Sequence, residues 1–161
     1  MNFPKITQIC FVLGVILIAG ACSKPKLYGN LQEAEAVTKY YQVSPEDAFR
    51  AAKEALAAKG YSLKEVDETN KTVETNWQPS TADSHYVEVF GRPDYGTVGS
   101  YYRLAIKVTP KANGSNISIT NVAKSFISNL KSTKRREEDV MEKISDFTRK
   151  RDINVTNIGV Q

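Results

Sequence analysis

Cysteine and histidine are scarce in this chain of 161 residues, which has two of the first and one of the second. A structural zinc site takes four ligands of those types, so a cysteine–histidine metal cluster is excluded. A histidine-based triad has only His85 to draw on. The chain has one tryptophan, two methionines and six prolines, and none of the biases that mark collagen-like, disordered or disulfide-dense sequences. Charge of one sign is also lacking: 22 basic residues face 18 acidic ones, a net charge of +4. No apolar run reaches the roughly 20 residues that a helix needs to cross a bilayer.

A shorter apolar run is present. Residues 9–21 read ICFVLGVILIAGA, without one charged or strongly polar side chain, behind Lys5 and the α-amino group. That length suits the apolar region of a secretory signal rather than a membrane span, and small residues follow as signal cleavage requires. Ile18-Ala19-Gly20-Ala21-Cys22 resembles the lipobox of bacterial lipoproteins, with Ala19 where that family most often has leucine. The resemblance implies cleavage before Cys22, a diacylglycerol thioether on its sulfur and an acyl chain on its new amino group. Ser23, which is not an inner-membrane retention signal, implies the outer membrane. Three acyl chains hold a protein permanently where one holds it only marginally. Removal of Met1–Ala21 also removes Cys10, so the mature chain keeps a single, lipid-blocked cysteine and has no disulfide available. Its stability must then come from an apolar core.

The expected organisation is a signal peptide over 1–21, a flexible tether over 22–33, one domain over 34–152 and a tail or short strand over 153–161. Residues 36–43 (AVTKYYQV) are β-branched and aromatic and predict a first strand, with Lys39 on the same face as Val37 and Tyr41. Ser44-Pro45-Glu46-Asp47 is a helix start: Ser44 caps, Pro45 suits the first turn and Asp47 completes a capping box. Ala48, Phe49, Ala52, Ala55 and Leu56 then form one apolar stripe, and Gly60 ends the helix, which is predicted over 45–59. Strands are predicted at 61–67 and 72–78, the second carrying Trp77, for which a core position is expected before a partner contact. Residues 79–99 break the pattern with two prolines and three glycines, yet hold Tyr86, Phe90 and Tyr95. A loop of that length is unusual unless it is functional, so these aromatics are candidate partner-binding residues, with a short edge strand over 86–90 allowed. A hairpin follows, alternating through Tyr102, Leu104, Ile106 and Val108, turning at 110–115, and returning through Ile117 and Ile119. The last element, 132–151, is a helix with Val140, Ile144 and Phe147 on one face. The order β-α-β-β-β-β-α predicts an α+β domain: an antiparallel sheet with two helices packed on one face.

Little in the chain points to chemistry. His85 has Asp83 and Ser84 as neighbours but no nucleophile elbow around it, and a solvated loop histidine is expected. Gly91 to Gly96 has the glycine spacing of a phosphate loop but is followed by Thr97-Val98 rather than Lys-Ser/Thr. No carboxylate pair suits glycoside cleavage. No catalytic residue, cofactor or metal is expected. The positive charge concentrates in residues 131–151, densest at Lys131, Lys134, Arg135 and Arg136. A secreted, tethered domain seldom meets nucleic acid, so this candidate patch is expected to be a solvated helix end, or to meet anionic headgroups or an acidic partner.

SPEDAFRAAKEALAAKGYSL, then an acidic turn, VETNW, YYRLAIKV and ISIT, resemble in order the helix-grip domains of the BamC family, lipoprotein subunits of the outer-membrane β-barrel assembly machine. The resemblance covers roughly half of the chain, and this chain has room for one such domain where that family carries two. It implies a helix-grip-like fold, no catalytic residues, and an accessory role in an outer-membrane assembly complex. The alternative expectation is an envelope ligand- or peptidoglycan-binding lipoprotein, in either case facing the periplasm and binding an envelope partner.

Overall fold

The computed structural model describes residues 27–95 and 99–156, with side chains through Arg149. The expected signal peptide, Cys22, the end of the phosphate-loop-like segment at Gly96 and the last residues of the tail lie outside them. In chain order the elements are β1 (Asn30–Glu33), β2 (Val37–Tyr41), α1 (Pro45–Ala58), β3 (Leu63–Asp67), β4 (Thr72–Thr75), β5 (Gln78–Pro79), β6 (His85–Val89), β7 (Arg92–Asp94), β8 (Tyr101–Lys111), β9 (Gly114–Ser125), β10 (Leu130–Ser132) and α2 (Arg135–Thr156).

The frame is the β8–β9 hairpin, in register from Tyr101 opposite Lys124 to Lys111 opposite Gly114. On one side β9 takes two short strands end to end, β1 along Val122–Ser125 and β2 along Ser115–Ile119. On the other side β8 takes β4 and β5, and β3 closes the edge against β4. All pairings are antiparallel, giving a seven-stranded sheet. Period-two alternation sends Tyr102, Leu104, Ile106, Val108, Ile117 and Ile119 to one face, where all are buried. Both helices cover that face. Ala48, Phe49, Ala52, Ala55 and Leu56 of α1 and Val140, Met141 and Ile144 of α2 complete the core. The alanines let α1 approach the sheet closely, and each fully buried Phe or Leu contributes about 1.5–3 kcal/mol.

Local signals decided the first helix. The Asp47 amide donates to Ser44 Oγ at 3.1 Å, and the Ser44 hydroxyl donates to Asp47 Oδ2 at 2.8 Å, so the cap is closed on both sides. Lys39 does face the core side of β2, and is accommodated because its ammonium reaches Ser145 Oγ of α2 at 3.2 Å over the Tyr41 ring. Gly114 is required by crowding: a Cβ there would stand 2.1 Å from the Tyr41 carbonyl oxygen.

The α+β architecture with both helices on one sheet face is as expected. Four boundaries differ. Residues 30–33 are strand β1 rather than tether, because β9 runs past β2 and leaves open backbone for it. The last helix begins at Arg135 and continues to Thr156, into the expected tail. Trp77 stands between β4 and β5 instead of inside one strand. The broken stretch after Pro79 holds two strands, β6 and β7, which join β10 in a second, three-stranded antiparallel sheet.

Candidate interaction surface

The small sheet is built around a tight hairpin. Val89 pairs with Arg92, so β6 and β7 are joined by Phe90 and Gly91 alone. Both have left-handed backbones, with φ of 50° and 74°. A two-residue turn with both central φ positive matches the right-handed twist of its strands and ordinarily takes Asn-Gly. A β-carbon in that region costs about 1–2 kcal/mol. Phe90 occupies it while 102% exposed, so the strain is not offset by any burial within the domain.

The two faces of this sheet differ in chemistry. Tyr86 and Glu88 of β6, Pro93 of β7 and Lys131 of β10 share the outer face. There Tyr86, Glu88, Pro93, Tyr95, Thr133 and Arg135 are among the residues that line an open cavity of about 420 Å³. The Tyr86 and Tyr95 rings are 6.0 Å apart and tilted at 47°. Three candidates from two separate stretches, Tyr86, Tyr95 and Arg135, are thus brought together. Phe90 stands at the hairpin tip. Trp77 is elsewhere: half-buried on the large sheet, with the Arg103 guanidinium 5.1 Å from its ring centre.

The four-residue basic patch is not an exposed basic surface. Lys131 pairs with Glu88, Lys134 with Glu35 at 2.8 Å, and Arg136 with Asp83 at 2.6 Å. The Lys134 hydrogen bond holds the Glu35 carboxyl below its ordinary range. A hydrogen bond from Thr81 and the charge of Arg136 do the same for Asp83. These pairs join β10 to β6, and the start of α2 to the β1–β2 connection and to the turn before β6. Arg135 is exposed at the cavity wall.

The inner face carries the largest departure from expectation. His85 is 1% exposed, not solvated, and lies in a chain of polar groups that joins buried Asn121 and Glu137 through half-buried Ser132. Ser132 Oγ donates to Glu137 Oε1 at 2.6 Å and receives Asn121 Nδ2 at 3.5 Å, which leaves Asn121 Oδ1 to accept from His85 Nε2 at 3.1 Å. His85 Nδ1 faces the Ser84 hydroxyl at 3.0 Å, and the ring packs against Tyr102 at 5.2 Å. Burial pushes the imidazole down to about 4, against the opposing effect of Asn121, so the ring is neutral in the folded protein. A serine beside a histidine oriented by an amide has the outline of an activated nucleophile. Ser84 is wholly buried, however, and its hydroxyl also lies 2.9 Å from the Thr81 carbonyl oxygen, so no substrate reaches it here. The group instead joins the small sheet, the large sheet and α2. Asn121 had one legible signal: it falls on the apolar face of β9, in step with Ile117 and Ile119. Glu137 had none, since it reads as one of three acidic residues in the first turn of a helix.

A second concavity, of about 350 Å³, lies on the sheet face away from the helices, where Glu33, Glu74, Arg103, Lys107 and Thr120 meet. Arg103 pairs there with Glu74. Among the described residues, no three His, Cys, Asp or Glu side chains converge as a metal site would need.

No family model and no curated protein matches the chain. Among solved structures it is similar to a protein from Thermus thermophilus, at 12% identity over 73% of this chain and 97% of that one, with a TM-score of 0.37. It is similar also to an uncharacterized protein from Rhizobium leguminosarum, at 12% identity over 75% and 97% of the two chains, with a TM-score of 0.38.

Proposed function

We propose that the chain is a lipoprotein of the bacterial outer membrane, anchored through Cys22, whose α+β domain docks another envelope protein and catalyses no reaction of its own. The observation that carries the docking reading is the cavity shared by Tyr86, Tyr95 and Arg135. Tyrosine and arginine are among the side chains most enriched where proteins bind each other, and an exposed guanidinium on the wall of a cavity that two phenols also line suits a carboxylate-bearing segment. The finer reading, which follows the BamC resemblance, is an accessory subunit of an outer-membrane protein assembly complex. A photo-crosslinking residue at Tyr95 in intact cells tests both. The expected result is an adduct with an envelope protein, lost on Arg135→Glu while the protein stays folded; a barrel-assembly subunit as that protein supports the finer reading. An adduct pattern unaffected by Arg135→Glu would refute docking at this cavity.

The concavity on the open sheet face favours a second reading, an envelope glycan-binding lipoprotein. Paired arginine and glutamate side chains can satisfy sugar hydroxyls, and Trp77 lies beside Arg103. Co-sedimentation with purified peptidoglycan that is lost on Arg103→Ala supports this reading; full retention by that variant opposes it.

A further inference from the structure

We infer that one pole of the domain, bearing Phe90, Phe126 and Tyr28, rests on the lipid surface and fixes the orientation of the domain on the membrane. The inference depends on Cys22 being acylated, as proposed above, and adds a second membrane contact made by the folded domain itself. Strand pairing places these residues together. β1 begins with Asn30 opposite Ser125, so the chain enters the domain beside the end of β9. Gly29 secures that approach: at φ 119° a Cβ on it would stand 2.5 Å from the Ser125 carbonyl carbon and 3.0 Å from the Phe126 amide. From the end of β9 the chain turns back into β10, whose Leu130 lies opposite Val87 of antiparallel β6. β6 therefore runs toward the pole where β9 ends, and its Phe90–Gly91 turn projects there. The three large side chains at this pole are 102%, 77% and 63% exposed at Phe90, Phe126 and Tyr28.

An aromatic group held in water on a strained backbone is explained by a surface that covers it. The occupant follows from chain length. Cys22 and Tyr28 are six residues apart, and even a fully extended chain spans at most about 3.6 Å per residue, so this pole stays within about 22 Å of the acylated cysteine. A short tether raises the effective concentration of bilayer at this surface to a level where weak contacts are occupied. Aromatic rings prefer the headgroup boundary, and Arg92, exposed beside Phe90, suits anionic lipid. The opposite pole, at the Ala112–Asn113 turn, is set away from the membrane.

The mature chain has no cysteine except Cys22, so nitroxide labels can be placed one at a time at Phe90, Phe126 or Asn113 of the full acylated protein. The carrier is vesicles of phosphatidylethanolamine and phosphatidylglycerol. Labels at 90 and 126 should be accessible to oxygen and shielded several-fold from an aqueous nickel reagent, whereas the label at 113 should not be shielded. A label at Tyr28 should lose its shielding in the Phe90→Asp/Phe126→Asp variant, with circular dichroism unchanged. Equal aqueous access at 90, 126 and 113 in vesicle-bound, acylated protein would overturn the inference and leave the anchor standing. Absence of acyl mass on the N-terminal peptide would instead remove the anchor and the inference with it. Crosslinking of Phe90 in cells to protein rather than lipid would overturn the inference alone.

Discussion

Phe90→Asn should make the domain more stable, although it removes a large apolar side chain. In the folded chain Phe90 is 102% exposed, so no burial is lost. Its backbone sits at φ 50°, in a turn whose second residue, Gly91, is at φ 74°. A left-handed conformation costs an ordinary residue about 1–2 kcal/mol, and asparagine tolerates it at part of that cost. Relief of about 0.5–1 kcal/mol is expected, which for a domain of this size corresponds to roughly 2–4 °C in Tm. Urea denaturation of the full chain, followed by circular dichroism, gives the midpoint directly, and the slope should not change because the exposed area on unfolding does not. The same variant should lose lipid shielding at position 126, an exchange of function for stability common at sites selected for contact. A lower midpoint for Phe90→Asn would refute the reasoning, since it would mean that Phe90 packs on the folded chain.

The remaining predictions concern the buried network and the sheet. His85 is held near 4 when folded against 6.5 in its ordinary state, so the unfolded chain takes up the proton first. The resulting stability, about 3 kcal/mol, is complete above pH 6.5 and is lost as pH falls toward 4; His85→Gln should flatten that part of a stability–pH profile, and an unchanged slope would contradict a buried neutral ring. Ser132→Ala removes the donor to Glu137, the acceptor for Asn121 and the acceptor for the Lys134 amide. It should cost about 2–3 kcal/mol in urea denaturation, and a loss below about 0.5 kcal/mol would show that the network does not support the fold. Gly114→Ala forces a methyl group to 2.1 Å from the Tyr41 carbonyl oxygen, so β2 should detach locally. Amide exchange at Lys39 and Tyr41 should then accelerate well beyond that at Leu104, whereas uniform rates would argue against the contact.

Sequence periodicity was sufficient wherever structure is set by neighbours along the chain. Ser44 and Pro45 with the alanine stripe marked α1, and alternation from Tyr102 to Val108 marked the central strand, because caps and faces are local properties. The packing of two helices on one face of an antiparallel sheet followed from them, and the second sheet did not. Short strands were not legible: β7 is Arg-Pro-Asp and β10 is Leu-Lys-Ser, and neither carries a β pattern. They are strands only because β6 lies between them and satisfies their backbone groups. β1 is likewise polar, and exists because β9 extends beyond β2. The candidate surface divides the same way. The residue pattern alone was enough to show that the stretch after Pro79 holds aromatic residues and that positive charge gathers around the start of the last helix. Which of them meet depended on how distant segments pack in the fold. That packing paired three of the four basic residues with carboxylates from distant segments and left Arg135 on the cavity that Tyr86 and Tyr95 also line. It also withdrew His85 into the interior, because its partner Asn121 lies 36 residues away along the chain and is brought near only by the folding of one sheet against the other.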